Sequence, residues 1–363
     1  MVKVLHAADF HLDSAFGALT AAQARERRGE MRDLLDRIAQ KANDEKVDIV
    51  LLAGDLFDGA AIYRETAEAL AEALGEIYAR VFISPGNHDP YVPGGVYAAV
   101  DWPENVTIFK YGMVESVELP ELNCVVHGAA FRDASQTESF LRGFAAPEDG
   151  RIHVAVLHGD VTNAESDYAP IRKEDIAKSN LHYLALGHVH QFSGVQKAGK
   201  TFYAYPGCAE GRGFDELGEK GVLCGRVSAD EVEMRFVPMA CRRYEILTLD
   251  ITGRDAAQVL EEALGSDAQN NIYRVILTGE TDEAGVEVAK LQETFAPCCY
   301  HLEIRDCTRV GEDIWARAEE DSLCGLFLKD LREKYDAAET GEQREAVELA
   351  ARFGLAALMK RDW

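Results

Sequence analysis

The heptapeptide Ser84-Pro85-Gly86-Asn87-His88-Asp89-Pro90 lies where a buried strand is expected to turn sharply into a loop. The run before it, Arg80-Val81-Phe82-Ile83, is apolar and predicts the strand, and the proline and glycine predict the turn. Loops at the carboxyl ends of strands are where α/β folds usually place their chemistry. An amide oxygen, an imidazole and a carboxylate follow one another here, so we expect a functional site at this strand end.

Strands and helices alternate in the sequence before this stretch. The pattern predicts a strand at residues 2–8, a helix capped by Thr20 and running through residue 43, a strand at 48–53, an amphipathic helix at 62–77 and a strand at 81–84. This β–α–β–α–β order predicts parallel neighbours joined by right-handed crossovers. Further short apolar runs occur at 106–109, 114–119, 124–128, 152–157 and 183–186, and hairpin-like runs follow between 193 and 238. We therefore predict an α/β fold in which two packed mixed β-sheets are flanked by helices.

The pattern changes near residue 240. Strands are predicted at 244–251, 272–277 and 300–305, with helices at 255–264 and 283–295 between them. From about residue 312 the chain has a helical pattern throughout, and Thr340-Gly341 predicts the turn of a helical hairpin. We predict three domains: a larger α/β domain at 1–240, a small βαβαβ domain at 241–310 and a helical tail at 311–363.

The composition limits the classes of function that fit the chain. Its 363 residues carry a net charge of −25 at pH 7, whereas autonomous binding to the phosphate backbone of nucleic acid needs clustered Lys and Arg. A nucleic-acid enzyme still fits, because local basic loops, bound cations or a partner subunit can supply positive charge. The alternative explanation of the acidity is a solvated surface that keeps the protein in solution.

The expected compartment is the cytoplasm. The eight cysteines are scattered without a CxxC motif, which favours free thiols over a zinc-thiolate site. No apolar run approaches the roughly 20 residues that span a bilayer, so we expect no membrane partner. The first residues run directly into a strand and lack the small-residue cleavage site of a signal peptide.

Five predicted strand ends carry polar side chains of the same chemical character. They are Asp9-Phe10-His11, Gly54-Asp55, Gly86-Asn87-His88-Asp89, His158 and Gly187-His188-Val189-His190. Because side chains alternate along an extended chain, Asp9 and His11 point to one side, as do His188 and His190. Each pair can therefore reach a common point.

The combined donor set is too rich in charge to remain without a ligand in one cleft. It comprises two carboxylates, one amide oxygen and four imidazoles, with His88 in addition, and this set suits two divalent metal ions such as Mn²⁺, Fe²⁺ or Zn²⁺. A metal pair roughly 3.5–4 Å apart is a standard arrangement for in-line attack on phosphorus. Any one histidine alone is more simply a hydrogen-bonded structural residue, and we give that role to the histidines outside the five motifs: His6, His127, His153, His182 and His301.

In this order the five motifs resemble those of the calcineurin-like metallophosphoesterase superfamily. The resemblance implies a four-layer α-β-β-α sandwich and a dinuclear centre, most simply with Mn²⁺, Mg²⁺ being a further candidate. It implies that Asp55 bridges the metals and that His88 acts as general acid or transition-state donor, with Asp89 orienting it. One metal would then bind Asp9, His11, Asp55 and His190, and the other Asp55, Asn87, His158 and His188.

Within the superfamily the chain is most similar to the SbcD-type DNA-repair exonucleases, especially a YhaO-like bacterial branch. The similarity lies in residues 6–14, in residues 185–190, in Tyr205-Pro206-Gly207 with the Glu216-x-Gly218-x-Lys220-Gly221 run, and loosely in residues 349–358. It implies a metal-dependent DNA phosphodiesterase that acts as a 3′-to-5′ exonuclease with some endonuclease activity. It also implies DNA ends as substrate, a homodimer, a βαβαβ unit that caps the site and guides DNA, and a tail that docks on an SbcC or Rad-fifty-type ATPase.

One position departs from some of these relatives. They have a histidine directly after the Gly54-Asp55-Leu56-Phe57 run, where this chain has Asp58. Any role of that histidine in handling DNA ends therefore does not transfer to this chain.

Two other functions fit the same motifs less well. A phosphatase or cyclic-nucleotide phosphodiesterase would use the same dinuclear site, but Ser/Thr phosphatases read GDxVDRG and GNHE, and small cyclic-nucleotide enzymes do not need the residues after 240. A scaffold with vestigial chemistry, holding a partner ATPase, would have lost ligands, whereas Asn87 and His88 are both present. For the tail, packing on its own domain is the alternative to partner docking; exposed apolar stripes would favour docking.

Overall fold

The computed structural model describes residues 1–59, 62–282, 285–311 and 314–359. In chain order the strands are β1 Val2–Ala7, β2 Ile49–Leu52, β3 Arg80–Ile83, β4 Val106–Ile108, β5 Glu115–Leu119, β6 Cys124–Gly128, β7 Ile152–His158, β8 Tyr183–Gly187, β9 Gln196–Ala198, β10 Thr201–Ala204, β11 Gly221–Val227, β12 Val232–Pro238, β13 Tyr244–Asp250, β14 Ile272–Thr278, β15 Glu280–Thr281, β16 His301–Asp306 and β17 Arg309–Val310. The helices are α1 Ala21–Glu45, α2 Arg64–Gly75, α3 Val96–Ala99, α4 Lys173–Lys178, α5 Ala256–Ala263, α6 Val288–Phe295, α7 Leu323–Asp336 and α8 Gly341–Met359.

Two six-stranded sheets form the larger part of the fold. The first has the order β12-β11-β1-β2-β3-β4, with β1 to β4 parallel and β11 and β12 antiparallel. The second has the order β5-β6-β7-β8-β10-β9, with β6, β7, β8 and β10 parallel and both edge strands antiparallel. The predicted pair of mixed sheets flanked by helices is therefore confirmed.

The two sheets pack face to face over a continuous apolar core. Val4, Leu51 and Phe82 of the first sheet belong to one buried cluster with Val126 and Val154 of the second. Strands whose two faces are both buried read as unbroken apolar runs, and this explains why these segments show no alternation in the sequence.

Helices cover the outer face of the first sheet, and loops with one short helix cover that of the second. Leu34 of α1 and Leu70 of α2 pack with Val50 in one cluster, and Ile176 of α4 packs with Leu157 in another. The layers thus follow the order helix, sheet, sheet, helix. Parallel strands covered in this way have their carboxyl ends at one edge of each sheet, where the loops are free to carry polar side chains.

Local signals fix the start of the long helix α1. Thr20 accepts a hydrogen bond from the backbone N–H of Gln23, and the Gln23 side chain accepts one from the backbone N–H of Thr20. This capping box satisfies two backbone donors at the helix start and agrees with the predicted cap. The predicted helix at 62–77 is observed as Arg64–Gly75.

The chain divides into two compact units. The first comprises Met1–Leu247, Leu264–Val275 and Gln292–Glu303, and the second comprises Thr248–Ala263, Ile276–Leu291 and the described residues from Ile304 onward. The predicted division at residues 240 and 310 stays a prediction.

Strands β13, β14 and β16 form a three-stranded sheet in that order, and β15 pairs in parallel with β17. Helices α5 and α6 alternate with the strands, as the βαβαβ pattern predicts, although residues 283–284 of the second predicted helix lie outside the described residues.

The C-terminal segment contains the predicted pair of helices. Leu328 of α7 and Ala351 and Leu355 of α8 form a small buried cluster with Ile314. The start of the predicted helical region, residues 312–313, lies outside the described part of the chain. Within that part, no helix combines the length and apolar character that crossing a membrane requires.

Candidate metal centre

The carboxyl ends of five strands meet at one place and bring the predicted side chains together. Asp9 follows β1, Asp55 follows β2, Asn87 and His88 follow β3, His158 ends β7, and His188 and His190 follow β8. The first three strands belong to one sheet and the last two to the other. The backbone N–H of His188 donates to the Asp9 carboxylate at 3.0 and 3.2 Å, so the two sheets are joined at the site itself.

One half of the cluster is formed by Asp9, His11 and His190. Each residue offers a ligand atom, and these atoms all lie within 4.8 Å of one another. The Nε2 atoms of the two imidazoles are 3.2 Å apart. The Asp55 carboxylate lies 3.8 Å from Nε2 of His11, so the four side chains of the first predicted ligand set are neighbours.

The second half is centred on His158. Its Nε2 lies 2.9 Å from Oδ1 of Asn87 and 3.3 Å from the Asp55 carboxylate, and the His188 ring centroid is 5.3 Å from the His158 ring centroid. Asp9 joins this group too, because Asp9, Asp55 and His158 also offer ligand atoms within 4.8 Å of one another. The two aspartates therefore lie between both groups of histidines, whereas the sequence suggested Asp55 alone.

The hydrogen bonds of His11 and His190 determine which nitrogen faces the cluster. Nδ1 of His11 lies 3.2 Å from a carboxylate oxygen of Asp58, and Nδ1 of His190 lies 2.7 Å from one of Glu216. A carboxylate can only accept, so both Nδ1 atoms carry the proton. Both Nε2 atoms then present lone pairs to each other at 3.2 Å. In two neutral rings this contact is repulsive, and either a proton shared between the nitrogens or a metal ion bound by both relieves it.

The ring of His158 is oriented in the same way. Its Nδ1 donates to the carbonyl oxygen of Ala53 at 2.9 Å, which leaves the Nε2 lone pair facing Asn87 and Asp55. A ring nitrogen held this way by a backbone carbonyl or carboxylate is the usual arrangement of a metal-binding histidine. The residues present thus fit divalent metal ions bound by oxygen and imidazole nitrogen.

The charges of the cluster are shifted by burial and by each other. Burial raises the pKa of Asp9. Burial opposes ionisation of Asp55, but the facing imidazoles of His158 and His11 outweigh it and hold its pKa below the usual value. Burial, followed by the neighbouring His158, lowers the pKa of His188 to about 4. Burial opposes protonation of His190, but its hydrogen bond to Glu216 and the charge of Asp9 outweigh it and raise its pKa. Metal binding requires neutral imidazoles and ionised carboxylates, so a metal ion competes with protons at His190 and Asp9.

The backbone around the cluster adopts sparsely populated conformations. Asp9, His11, Asp55 and His188 all have positive φ angles, which cost energy for residues other than glycine and collect at functional sites. Gly187 permits the close approach of the two sheets, because a Cβ there would lie 1.9 Å from the carbonyl oxygen of Ala53.

Asp89 does not lie where the sequence suggests. The family resemblance implies that it orients the His88 ring; in the structure it is buried and accepts hydrogen bonds from the backbone N–H groups of Gly86, Asp55, Leu56 and Phe57 and from the Tyr97 hydroxyl. It therefore joins the loops after β2 and β3. The carboxylate beside the His88 ring is Asp58, at 3.5 Å from Nδ1. A catalytic role for Asp89 stays a prediction.

Sequence reasoning missed three side chains around the ligands. Asp58 and Glu216 hold Nδ1 of His11 and His190, and Arg212 donates to Glu216 at 2.6 Å and lies 3.7 Å from Asp58. In the sequence Arg212 is only one of several polar loop residues near the motifs. The signal available was the Glu216-x-Gly218-x-Lys220-Gly221 run, which carried the family resemblance without an assigned role.

Histidines outside the motifs make contacts elsewhere. His6 is buried and bonds to the Tyr183 hydroxyl and a backbone carbonyl. His127 and His153 bond to each other at 3.0 Å, and His182 accepts from the backbone N–H of His153. These four have the hydrogen-bonded surroundings of structural histidines.

Comparison with known proteins gives a consistent result. The sequence model of the calcineurin-like phosphoesterase family matches residues 2–192. An uncharacterized metallophosphoesterase of Bacillus subtilis, YhaO, is 30% identical over 263 residues, 68% of this chain and 63% of that protein. The DNA double-strand break repair protein Mre11 of Methanopyrus kandleri is 23% identical over 338 residues, 86% of this chain and 72% of that protein. The SbcD component of the SbcCD nuclease of Bacillus subtilis is 22% identical over 256 residues, 60% of this chain and 64% of that protein. The match thus spans less than two thirds of YhaO and of that SbcD component.

Proposed function

This chain belongs to the calcineurin-like phosphoesterase family, and on that premise we propose that it is a DNA-repair exonuclease that hydrolyses phosphodiester bonds with two divalent metal ions. The observation that carries the proposal is the set of imidazole lone pairs facing one another and the carboxylates at the strand ends. Relatives named as Mre11 and as components of the SbcCD nuclease support DNA as the substrate.

The metal ligands in this proposal are the side chains that converge at the site. When bound, two divalent ions would supply an activated water and neutralise charge on the phosphoryl oxygens. Mn²⁺ is the proposed ion, since oxygen and imidazole ligands without thiolate suit it, and Fe²⁺, Zn²⁺ and Mg²⁺ are alternatives. The proposed ligands are Asp9, His11, Asp55, Asn87, His158, His188 and His190.

His88 is the proposed proton donor to the leaving oxygen. Its side chain is 45% exposed, so the ring reaches the open side of the cluster, and its backbone N–H is fixed by a hydrogen bond to Asp55 at 2.9 Å. The Asp58 carboxylate, 3.5 Å from Nδ1, raises the pKa of His88. With Nδ1 beside Asp58, the nitrogen available to substrate is Nε2, and a proton held there can pass to the departing oxygen.

The proposal includes a partner and an assembly. A net charge of −25 leaves little basic surface to hold DNA, so we propose that an SbcC or Rad-fifty-type ATPase presents DNA ends to the site. The C-terminal helices offer a docking surface, because Leu323 and Leu326 of α7 are each 69% exposed and Leu349 and Leu358 of α8 are exposed too. Homodimerisation, 3′-to-5′ polarity, some endonuclease activity and a cytoplasmic location belong to the same proposal.

The first test compares linear double-stranded DNA with bis-p-nitrophenyl phosphate. Each substrate is incubated with the wild type in Mn²⁺, with the wild type in EDTA, and with the Asn87→Ala variant in Mn²⁺. The matched control is His301→Ala, which replaces a histidine of β16 outside the cluster. The proposal predicts cleavage of both substrates only with metal and intact Asn87, and end-labelled DNA then reports polarity. Cleavage of the small diester alone would favour the phosphatase or cyclic-nucleotide alternative, or DNA presented only by the partner. Adding the proposed partner ATPase distinguishes these two explanations, because DNA cleavage then appears only if the partner presents the DNA. The absence of cleavage of both substrates would contradict the proposal.

A further inference from the structure

Asp58 contacts two histidines that have different proposed tasks. One carboxylate oxygen lies 3.2 Å from Nδ1 of His11 and 3.5 Å from Nδ1 of His88, and the two imidazole rings are edge to face with centroids 4.8 Å apart. His11 belongs to the proposed ligands and His88 is the proposed proton donor. A single carboxylate oxygen therefore faces Nδ1 of both rings.

The position of Asp58 is itself held from several sides. Its backbone N–H donates to the carbonyl oxygen of Leu12 at 3.0 Å, which ties it to the loop after β1. Its second carboxylate oxygen accepts from the Ser14 hydroxyl at 2.9 Å, and Arg212 lies 3.7 Å from the first. The side chain is 30% exposed, so most of it is enclosed by these partners. Such support is what a carboxylate needs to orient other groups.

The contacts argue against two simpler explanations. A solvated surface carboxylate would not be enclosed by two imidazoles, a hydroxyl and a guanidinium. A third cation held by His11, Asp58 and His88, whose ligand atoms lie within 4.8 Å, would need the Nδ1 lone pair of His11 while Nε2 of that ring faces Asp55 and His190. Neutral imidazole has only one such lone pair, and the charge of Arg212 already lies beside Asp58.

We propose that Asp58 is a positioning residue that sets the tautomers of His11 and His88 together, so that the first turns Nε2 towards the cluster and the second turns Nε2 towards the substrate. The inference rests on the proposed phosphodiester hydrolysis. It gives a role to the position at which this chain departs from the relatives that have histidine there. Nδ1 of His11 lies 3.2 Å and Nδ1 of His88 lies 3.5 Å from the Asp58 carboxylate, so both rings turn that nitrogen towards it.

Two readouts separate this role from a merely structural one. The first is the Mn²⁺ affinity of the metal-free protein, measured by calorimetric titration. It depends on the orientation of His11 as a ligand and does not depend on catalysis. The second is the ratio of kcat for bis-p-nitrophenyl phosphate, whose leaving group is stable as an anion, to kcat for thymidylyl-thymidine, whose leaving alkoxide needs a proton. Loss of a correctly placed proton donor slows the second substrate selectively.

Asp58→Ala and Asp58→Asn are compared with the wild type, with His88→Ala and with Asp13→Asn. The last is the matched control, because the Asp13 carboxylate accepts from the backbone of Tyr63 and the hydroxyl of Thr66 instead. Asp58→Ala should weaken Mn²⁺ binding about 10–100-fold and raise the kcat ratio at least about 100-fold. Asp58→Asn should fall between, because its amide oxygen can still accept from both rings but lacks the charge that strengthens the carboxylate's hydrogen bonds. Asp13→Asn should match the wild type in both readouts.

Unchanged Mn²⁺ affinity and an unchanged kcat ratio in folded Asp58→Asn would overturn the inference. Three Mn²⁺ ions bound to the wild type and two to Asp58→Asn would also overturn it, in favour of a ligand at Asp58. If Asp58→Ala does not fold, the asparagine variant decides the question alone. A wild type that hydrolyses neither diester would contradict the proposed function, whereas the Mn²⁺ titration would still decide whether Asp58 positions His11.

Discussion

Substitution of Glu216 measures how much the hydrogen-bond partner of a proposed metal ligand contributes to stability and to metal affinity. The residue is buried and accepts from Nδ1 of His190 at 2.7 Å and from the guanidinium of Arg212 at 2.6 Å. Its pKa lies well below the usual range, because the hydrogen bonds and charges of His190 and Arg212 outweigh the cost of burial. Replacing Glu216 by Gln removes the charge but keeps an acceptor, and replacing it by Ala removes both.

Two magnitudes follow. Breaking a buried ion pair by removing one partner costs about 3–5 kcal/mol. For replacement of Glu216 we expect a loss of unfolding free energy at the lower end, about 3 kcal/mol in the metal-free protein. Arg212 is 18% exposed and still has the Asp58 carboxylate at 3.7 Å, so its charge is not left without a partner. Loss of an outer hydrogen bond to a metal-binding histidine weakens metal affinity by about 10–100-fold. We expect about tenfold for Glu216→Gln and about 100-fold for Glu216→Ala, since only the first still fixes the His190 tautomer.

The assays are denaturant unfolding in EDTA and calorimetric titration with Mn²⁺. Glu219→Gln is the matched control, because Glu219 lies on the same loop, its side chain is 57% exposed, and its carboxylate lies at the longer distance of 3.9 Å from Arg243. The prediction fails if Glu216→Gln and Glu219→Gln lose equal stability. It fails also if Glu216→Ala binds Mn²⁺ as tightly as the wild type, because His190 would then not depend on Glu216 for its orientation.

Three further predictions concern buried residues of the fold. Gly187→Ala should lower the free energy of unfolding by about 3 kcal/mol, and abolish Mn²⁺ binding, since the new Cβ would lie 1.9 Å from the carbonyl oxygen of Ala53. Glu210→Gln should cost about 3 kcal/mol in denaturant unfolding, because the guanidinium of Arg27 is fully buried and donates to Glu210 at 2.7 Å. His6, whose pKa burial lowers from 6.5 to about 3, binds fewer protons folded than unfolded; its contribution to stability should fall as the pH drops below 6.5, by about 2 kcal/mol between pH 7 and pH 5.

Controls for these predictions use the same measurements. Gly29→Ala, in helix α1 with no heavy atom within 4 Å of the new Cβ, should stabilise the protein by about 0.5–1 kcal/mol. His6→Asn should lose less stability than the wild type between pH 7 and pH 5 in EDTA. A variant whose pH dependence equals that of the wild type would contradict the assignment to His6.

The sequence predicted the parts of the structure that depend on neighbouring residues. Buried strands, the capped helix from Thr20 and the polar residues at strand ends are all local patterns, and the α/β fold with two sheets follows from their order. The chain order of the five motifs also identified the residues that lie together, because the carboxyl ends of parallel strands share an edge. Strand order needs no knowledge of distant side chains. The alternation expected at residues 9–11 and 188–190 is not what brings these side chains together, because Asp9, His11 and His188 have positive φ angles.

Contacts between distant segments were not predictable in this way. The family resemblance implies that Asp89 orients the His88 ring, whereas tertiary packing turns its carboxylate towards the loop after β2. The residue beside the ring is Asp58, which lies far earlier in the chain. Its partners depend on how the loops after β1, β2 and β3 cross, which no local pattern records.

The proposed metal ligands were predictable from local motifs, whereas the residues that orient their rings were not. A motif shows that an imidazole is present, but an imidazole binds a cation only through the nitrogen that has lost its proton. Asp58 and Glu216 decide that nitrogen for His11 and His190, and neither carboxylate belongs to the motif that it serves. Arg212 lies near both carboxylates, so a single guanidinium links the outer supports of the two rings. A change at any of these three positions should therefore alter metal affinity while every residue of the five motifs remains in place.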